Sequence, residues 1–482
     1  MRRYGIILLV GLFLMTACGA RLSDEQKAAL ATSGGSTGQE NSVSFGGSTT
    51  TTVAGGSATT IASSAGNTGG DAAAGGDAGS GGGDTGGGGA GGGDAAGGGG
   101  GAAAGSTCSG GGASDTGVSD SEIKIGNVST ISGPIPGFGQ TGVNAVKAYV
   151  NFVNATGGVC GRQLTLVTAD DRLQSGTSKS EHDKLSSQVL GFVGGTTVVD
   201  DGAAQSIEGT NIAYTGLAIA EAMIKSPNNF PTVPIDLADG GNGALEILKY
   251  MKEVRGVSKG GLIWPAQASA KARVFGYKKD MERAGIEVVL ETEVAVTETN
   301  YADDAANVEA AEVDILMTTL EISGMARLAK AMEQNGYFPA VPFYGAQAYG
   351  RLFLEQAGSA AEPTVLGLAY AILEDAGQNE EVNNFLTWYE RTNPGSDIDF
   401  FAIEAWVAAN MYVKALREID GAPTRDAVLA NLQGFTAFDA NGMKAPVNPA
   451  QKKGADCFMV AEVDNSAWKR VHPASGFDCS YA

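Results

Sequence analysis

The stretch Glu122–Gly161, EIKIGNVSTISGPIPGFGQTGVNAVKAYVNFVNATGGVCG, constrains the fold most. EIKIGNV reads as a strand, with Ile123, Ile125 and Val128 able to face a core. STISGPIPG is a loop, because its two prolines break regular structure. A helix is predicted from about Gly139. Val143, Val146, Val150 and Val153 recur at helical spacing, and Tyr149 and Phe152 widen the stripe. Gly157-Gly158 ends it, as a left-handed C-terminal turn requires. A second strand, QLTLVTAD, follows at once. Strand, helix and strand joined this closely make a right-handed parallel βαβ unit.

Gly137-Phe138-Gly139-Gln140-Thr141-Gly142 matches the dinucleotide pattern G-x-G-x-x-G. That fingerprint needs its first glycine at the strand end and an acidic partner about 20 residues on. STISGPIP intervenes here, and Asp170-Asp171 lie further away. The glycines are read instead as allowing close backbone approach to a ligand or to another part of the fold.

The chain of 482 residues carries a formal charge of −21, which repels nucleic acid at long range and argues against a nucleic-acid partner. Glycine, at 72 residues, is concentrated in one tract. From about residue 32 to 116 nearly every residue is Gly, Ala, Ser, Thr or Asp, too little apolar surface to offset the entropy of ordering. This segment is predicted to be a tether with an r.m.s. reach on the order of 50 Å. Ahead of it, Arg2-Arg3, the apolar run Gly5–Leu14 and Met15-Thr16-Ala17-Cys18 form a signal peptide, since the run is too short to span a bilayer. The small residues before Cys18 resemble the lipobox of bacterial lipoproteins. That resemblance implies cleavage before Cys18 and lipid attachment to its sulfur, by Sec export or, given the paired arginines, by the twin-arginine route.

Cys108, Cys160, Cys457 and Cys479 remain, an even number suited to an oxidising compartment. Four cysteines allow three pairings. Cys108–Cys160 with Cys457–Cys479 is favoured, one staple at each end of the folded region; separate thiols are the alternative. No cysteine has zinc-site spacing, and His182 and His472 are far apart, so no metal or other cofactor is expected.

After the opening unit, strands and helices alternate: Phe192-Val193, NIAYTG, GLIWPA, EVVLETEVAV, DILMTTL and VPFYGA, with helices between. Such a pattern predicts parallel sheets with ligand-binding loops at the carboxyl ends of the strands. Val274, Tyr277 and Met281 mark one helical core face, and Met325, Leu328 and Met332 another. DFFAIEAWVAANMYVKALREI is apolar on nearly all sides and is expected to be deeply buried.

The run "EIKIG…SGP…G…G, helix, N-x-x-GG-x-x-GR-x-L-x-L-V…DD" resembles the opening of branched-chain amino-acid-type ABC importer solute-binding proteins. Its residues here are Ile123–Gly126, Ser132-Gly133-Pro134, Asn154, Gly157-Gly158, Gly161-Arg162, Leu164, Leu166, Val167 and Asp170-Asp171. The resemblance covers about three quarters of the chain and is not specific for the ligand. It implies a type I periplasmic binding protein: two Rossmann-like α/β lobes with parallel sheets, joined by three hinge crossings and closing on a ligand. On that scheme residues 1–17 are the signal peptide and 18–116 the lipid-anchored tether. Residues 117–236 with 365–438 form the first lobe, and 237–364 with 439–482 the second. VLGLAYA is assigned to the first lobe and CFMVAEV to the second.

The resemblance also places a ligand. Thr196 and Thr197 stand where the family binds an amino acid's carboxylate, and Leu217, Ala218 and Ile219 where it offers a backbone carbonyl and a hydroxyl. Glu321 and Gln347 come from the second lobe. Gln347 is neutral where the family has the carboxylate that fixes the ammonium, and a buried ammonium needs an anion. Either Glu321 supplies it, or the ligand lacks an ammonium: an amide, a carboxylate or an aromatic compound. Phe138 and Trp264 are candidates for an apolar wall. For each there is a plain structural alternative, the threonines as helix caps and Trp264 as lobe core.

The implied function is an extracytoplasmic, lipid-anchored, monomeric protein that captures a small amino-acid-like solute and delivers it to an ABC permease. The alternative is a sensor on the same fold that signals to a membrane partner. A purely structural surface role would predict no ligand. An enzyme is not expected: no G-x-S-x-G, H-E-x-x-H or Walker loop occurs in the folded region.

Overall fold

The computed structural model describes Cys108 and residues 112–133, 138–234 and 243–482. The expected signal peptide, Cys18, nearly all of the Gly-rich segment, Pro134 and Gly137 lie outside them.

The predicted βαβ unit is present as β1 (Glu122–Ser129), α1 (Gln140–Ala155) and β2 (Gln163–Asp170). The two strands pair in parallel from Glu122↔Gln163 to Ser129↔Asp170. Strand alternation sends Ile123 and Ile125 into the larger core, with Val146, Val150 and Val153 of α1, and Val128 to the opposite face. β3 (Phe192–Val193), α3 (Asp201–Ile207), β4 (Tyr214–Gly216), α4 (Glu221–Lys225) and β5 (Asn229–Pro231) follow α2 (Ser175–Ser186). The first sheet has the order β2-β1-β3-β4-β5, parallel throughout.

The family-like residues of this unit serve structure. Asn154 receives the Leu164 N–H at 2.7 Å and returns a bond to the Leu164 carbonyl at 2.9 Å, which ties the helix end to the start of β2. Arg162 is buried and donates to the carbonyls of Ser119 (2.6 Å) and Cys160 (2.9 Å). Asp170 accepts from the N–H groups of Ile131, Ser132 and Arg172 at 3.0–3.1 Å, and so anchors the loop after β1. Burial alone would raise its carboxyl; these bonds and that from the Ser132 hydroxyl outweigh it and hold the group below its ordinary range.

The second sheet is built from β6 (Lys259–Pro265), β7 (Glu287–Val294), β8 (Ile315–Thr318), β9 (Val341–Phe343), β10 (Val365–Leu368), β11 (Met459–Asp464) and β12 (Ala467–His472). Its order is β12-β11-β10-β9-β8-β6-β7. β6 to β10 are parallel, while β11 and β12 form an antiparallel hairpin on β10. Asn465 and Ser466 turn this hairpin with positive φ (53° and 60°), as a two-residue turn of matching twist requires. The sheet is therefore mixed at one edge. β10 lies here and not in the first lobe, where VLGLAYA was expected. A short apolar run reads alike in either sheet, and only its pairing with Phe343 and with β11 decides between them.

α5 (Leu245–Arg255), α6 (Ala268–Arg283), α7 (Ala302–Ala310), α8 (Ile322–Asn335) and α9 (Arg351–Ala357) belong to the second lobe. Both helical stripes are core, with Val274, Met281, Met325, Leu328 and Met332 fully buried. α10 (Glu380–Thr392) and α11 (Phe400–Arg417) return to pack on α1, and α12 (Arg425–Gln433) packs on α11. α11 is buried on nearly every side. Disulfides join Cys108 to Cys160 and Cys457 to Cys479, with Cα–Cα distances of 5.2 and 4.2 Å.

Candidate functional site

The loops after β1, β3 and β4 form one edge of the first lobe. Thr196 is buried; its N–H bonds Ser129 Oγ at 3.0 Å and its carbonyl accepts from Thr130 N at 3.0 Å. A Cβ on Gly142 would stand 2.3 Å from Thr196 Oγ1, and one on Gly139 2.7 Å from the Thr196 carbonyl. These two glycines thus let α1 close on the β3 loop. Thr196 packs directly against Gly139 and Gly142. Thr197 Oγ1 receives the Val199 N–H at 3.1 Å and lies 3.1 Å from Thr130 Oγ1, in the role of a turn cap.

Leu217, Ala218 and Ile219 follow β4, and buried Asp200 holds them by accepting from Ile219 N at 2.7 Å and Ala220 N at 2.9 Å. Burial pushes the Asp200 carboxyl up to about 6, against the lowering effect of those two bonds. Phe138 is half-buried, edge-on to Phe401 of α11 at 4.7 Å. The first-lobe candidates therefore share one strand-end surface.

The second-lobe candidates behave differently. Glu321 caps α8, accepting from Ser323 N at 2.7 Å, and pairs with Arg327 at 3.1 Å; its side chain is 63% exposed. A carboxylate so exposed and already bonded is not a buried counter-charge for an ammonium. Trp264 lies in the second-lobe core, with Nε1 donating to Glu293 at 3.0 Å, so it does not form a cleft wall. β6 ends in this core, and the indole finds its acceptor on the neighbouring strand β7. Gln347 sits half-buried in the turn Ala346–Ala348 after β9, at a strand end as expected.

Between the lobes the chain crosses at three places. The second and third crossings pair with one another, with Tyr370 bridged to Lys444 and backbone bonds of 2.8 Å from Ala371 N to Met443 O and from Ala445 N to Ala369 O. Tyr370 Oη donates to the Ala346 carbonyl at 3.1 Å, beside Gln347. Nearer the mouth, Arg351 of α9 bonds Asp397 ahead of α11, with Nε–Oδ1 at 3.0 Å, and Gly350 bridges to Asp399.

At the hinge is a cavity of about 130 Å³. Residues of all three crossings line it, together with Arg273 of α6, Glu404 of α11, Phe343 and Phe400. None of the nine candidate ligand residues does so. Glu404 and Lys444 form a buried ion pair in its wall, at 3.0 Å. Sequence reading missed both. A lone acid within the apolar run FFAIEAWVAANMYV was the available signal, since such a residue is buried only when paired. Lys444 lies in irregular chain and gave none.

A family model described as "Periplasmic binding protein" matches residues 122–467. The chain belongs to this family. Among solved structures it is similar to a fatty acid ABC transporter substrate-binding protein from Thermomonospora curvata, at 19% identity and a TM-score of 0.64, covering 76% of this chain and 94% of that one. It is also similar to the branched-chain amino acid transporter substrate-binding protein LivJ from Streptococcus pneumoniae, solved with isoleucine. There identity is 17% and the TM-score 0.60, over 73% of this chain and all of the other. A leucine-binding protein, LivK, from Thermotoga maritima matches at 14% identity and 0.60, over 72% and 97%. No curated protein sequence matches the chain. The family places the protein outside the cytoplasm, and its three-crossing hinge is the part on which two lobes can close. Among the described residues no helix is long and apolar enough to cross a membrane.

Proposed function

We propose that this protein captures a small solute between its lobes and delivers it to an ABC permease, without chemistry, while anchored through lipid on Cys18. The Gly-rich segment links that anchor to the lobes, and the protein works as a monomer. The observation that carries the proposal is the arrangement of two α/β lobes on three crossings, in a chain whose family binds solutes. Thr196, Thr197 and Leu217–Ile219 form the first-lobe half of the cleft, and Gln347 the second-lobe half. The bonding of Glu321 favours a solute without a buried ammonium, and the structural likeness to a fatty acid binder is compatible with a carboxylate.

Thermal unfolding against amino acids, amides, carboxylates and aromatic acids tests this. A ligand at 100 times its Kd adds about 2.7 kcal/mol of stability. The midpoint then rises by several degrees, at roughly 2–4 °C per kcal/mol for a chain of this size. A shift with carboxylates and not with leucine or isoleucine is the expected result. No shift with any compound, on protein refolded to strip bound ligand, would remove the transport function.

A further inference from the structure

Two short segments from opposite lobes meet outside the three crossings, and each is braced within its own lobe. In the second lobe, Gly350 precedes α9 with φ 146° and ψ 170°, a backbone conformation that essentially only glycine adopts. Its carbonyl accepts from Trp468 Nε1 of β12 at 3.3 Å, and the next residue, Arg351, is steered by Glu355 one turn on, at 2.6 Å. In the first lobe, Tyr389 Oη of α10 donates to the Asp397 carbonyl at 2.7 Å. Asp399 Oδ1 caps α11 by accepting from Ala402 N at 2.9 Å, and it also takes the Thr141 hydroxyl of α1 at 2.8 Å. The two halves then join. Gly350 bridges to Asp399, and Arg351 Nε donates to Asp397 Oδ1 at 3.0 Å, with a second bond from Nη2. A Cβ on Gly350 would point at Ile398 and Asp399, 3.5 Å from the Ile398 carbonyl.

We propose that Gly350 and Arg351 with Asp397–Asp399 form a clasp that the lobes make on closing and break on opening, and that so sets how readily the cleft shuts. The proposal rests on the reading that the lobes close on a solute. The crossings already join the lobes covalently, so bonds between lobes elsewhere favour one lobe angle over the others. The strength of the clasp fits that task. Arg351 and Asp397 are 63% and 53% exposed, and an exposed pair shifts an equilibrium by about fivefold at most. A clasp this weak lets the lobes part and admit a solute. Gly350 adopts its conformation without strain; a larger residue there is strained while the clasp is made and relaxes when it breaks. The first-lobe half also reaches the candidate cleft. Thr141 lies in the first turn of α1 between Gly139 and Gly142, which pack on Thr196, and Phe401 meets the ring of Phe138. A solute seated on Thr196 and Phe138 favours the same closed arrangement, so clasp and solute strengthen one another reciprocally.

Distances between two spin labels, measured by pulsed electron paramagnetic resonance, test the clasp without any solute. The labels sit on Glu208→Cys in the first lobe and Val296→Cys in the second, both at exposed positions. The full chain carries Cys18→Ser, so that no third thiol reacts. A close and a distant separation are expected. Arg351→Ala raises the distant-to-close ratio by about two- to fivefold, Asp397→Ala does the same, and the two together exceed neither alone. Gly350→Ala raises the ratio by about fivefold or more. Should Gly350→Ala not fold, the two exposed substitutions still decide. An unchanged ratio in Arg351→Ala and Asp397→Ala would overturn the clasp while leaving solute capture standing, and so would shifts that simply add in the double variant. A single separation, the same in wild type and every variant, would overturn both, because lobes that do not part neither clasp nor capture.

Discussion

Two buried groups in the first lobe oppose one another in acid. His182 of α2 packs against the sheet, its ring tilted 4.7 Å from that of Phe192, and burial pushes its imidazole down to about 4. Its Nδ1 lies 2.7 Å from the Ser178 carbonyl, which only accepts, so Nδ1 carries the hydrogen and Nε2 is bare. The folded value lies below the unfolded one, so this group's contribution is full above about pH 6.5. It is lost as pH falls toward 4, by about 3 kcal/mol. Asp200 has the opposite sign. Its raised value, about 6, means that its contribution is full below about pH 4 and is lost as pH rises through 6, again by about 3 kcal/mol. The two slopes nearly cancel in the wild type. In urea unfolding across pH 4–7, Asp200→Asn is expected to lose stability on acidification relative to wild type, and His182→Phe to gain it. Difference profiles of the same sign for both variants would refute the assignment. Asp200 also holds Ile219 and Ala220, so Asp200→Asn weakens cleft binding as well, since an amide accepts through one oxygen where the carboxylate uses two.

At the scale of elements, α1 and the β3 loop are fitted to each other through two glycines. Gly142→Ala puts a methyl 2.3 Å from Thr196 Oγ1, and overpacking of this kind costs about 1–3 kcal/mol. Because Thr196 must move to admit it, ligand affinity falls together with the thermal midpoint. A midpoint unchanged from wild type would show that the loop is free to yield. The same contact illustrates what the sequence made legible. Periodicity alone located β1, α1 and the buried faces of α6, α8 and α11, because apolar spacing is a local property. The glycine pattern could be read two ways; the intervening STISGPIP and the distance to Asp170-Asp171 decided between them, but the partner of Gly139 and Gly142, Thr196, lies more than fifty residues away and was not legible. Glu321 and Trp264 looked chemically suited to a ligand, but a strand-end acid ahead of a helix caps it, and an indole between strands finds a nearby acceptor. β10 was placed in the wrong lobe for a related reason: strand partners are non-local, and neither Phe343 nor β11 marks its partner in its own sequence. The buried pair at the hinge was half visible, as an acid in an apolar helix whose cation lay in unpatterned chain.

At the scale of the whole molecule, that pair sits where the lobes meet. Lys444 belongs to the third crossing and is bridged to Tyr370 of the second, while Glu404 belongs to α11 of the first lobe. The ion pair thus fastens the paired crossings to one lobe and leaves the other to move on them. Removing one partner strands a buried charge, which costs about 3–5 kcal/mol; removing both in favour of apolar side chains is often neutral or better. Lys444→Met alone should therefore lower stability by that amount, and Lys444→Met with Glu404→Leu should restore most of it. The double variant has a second consequence that stability does not report. With the fastening gone, the crossings keep their backbone bonds and the Tyr370–Ala346 bond but lose the charged link to α11, and the distribution of lobe angles in solution scattering should broaden without ligand. Recovered stability with an unchanged scattering profile would mean that the pair serves packing alone, and that the backbone ribbon between Tyr370 and Lys444 sets the hinge.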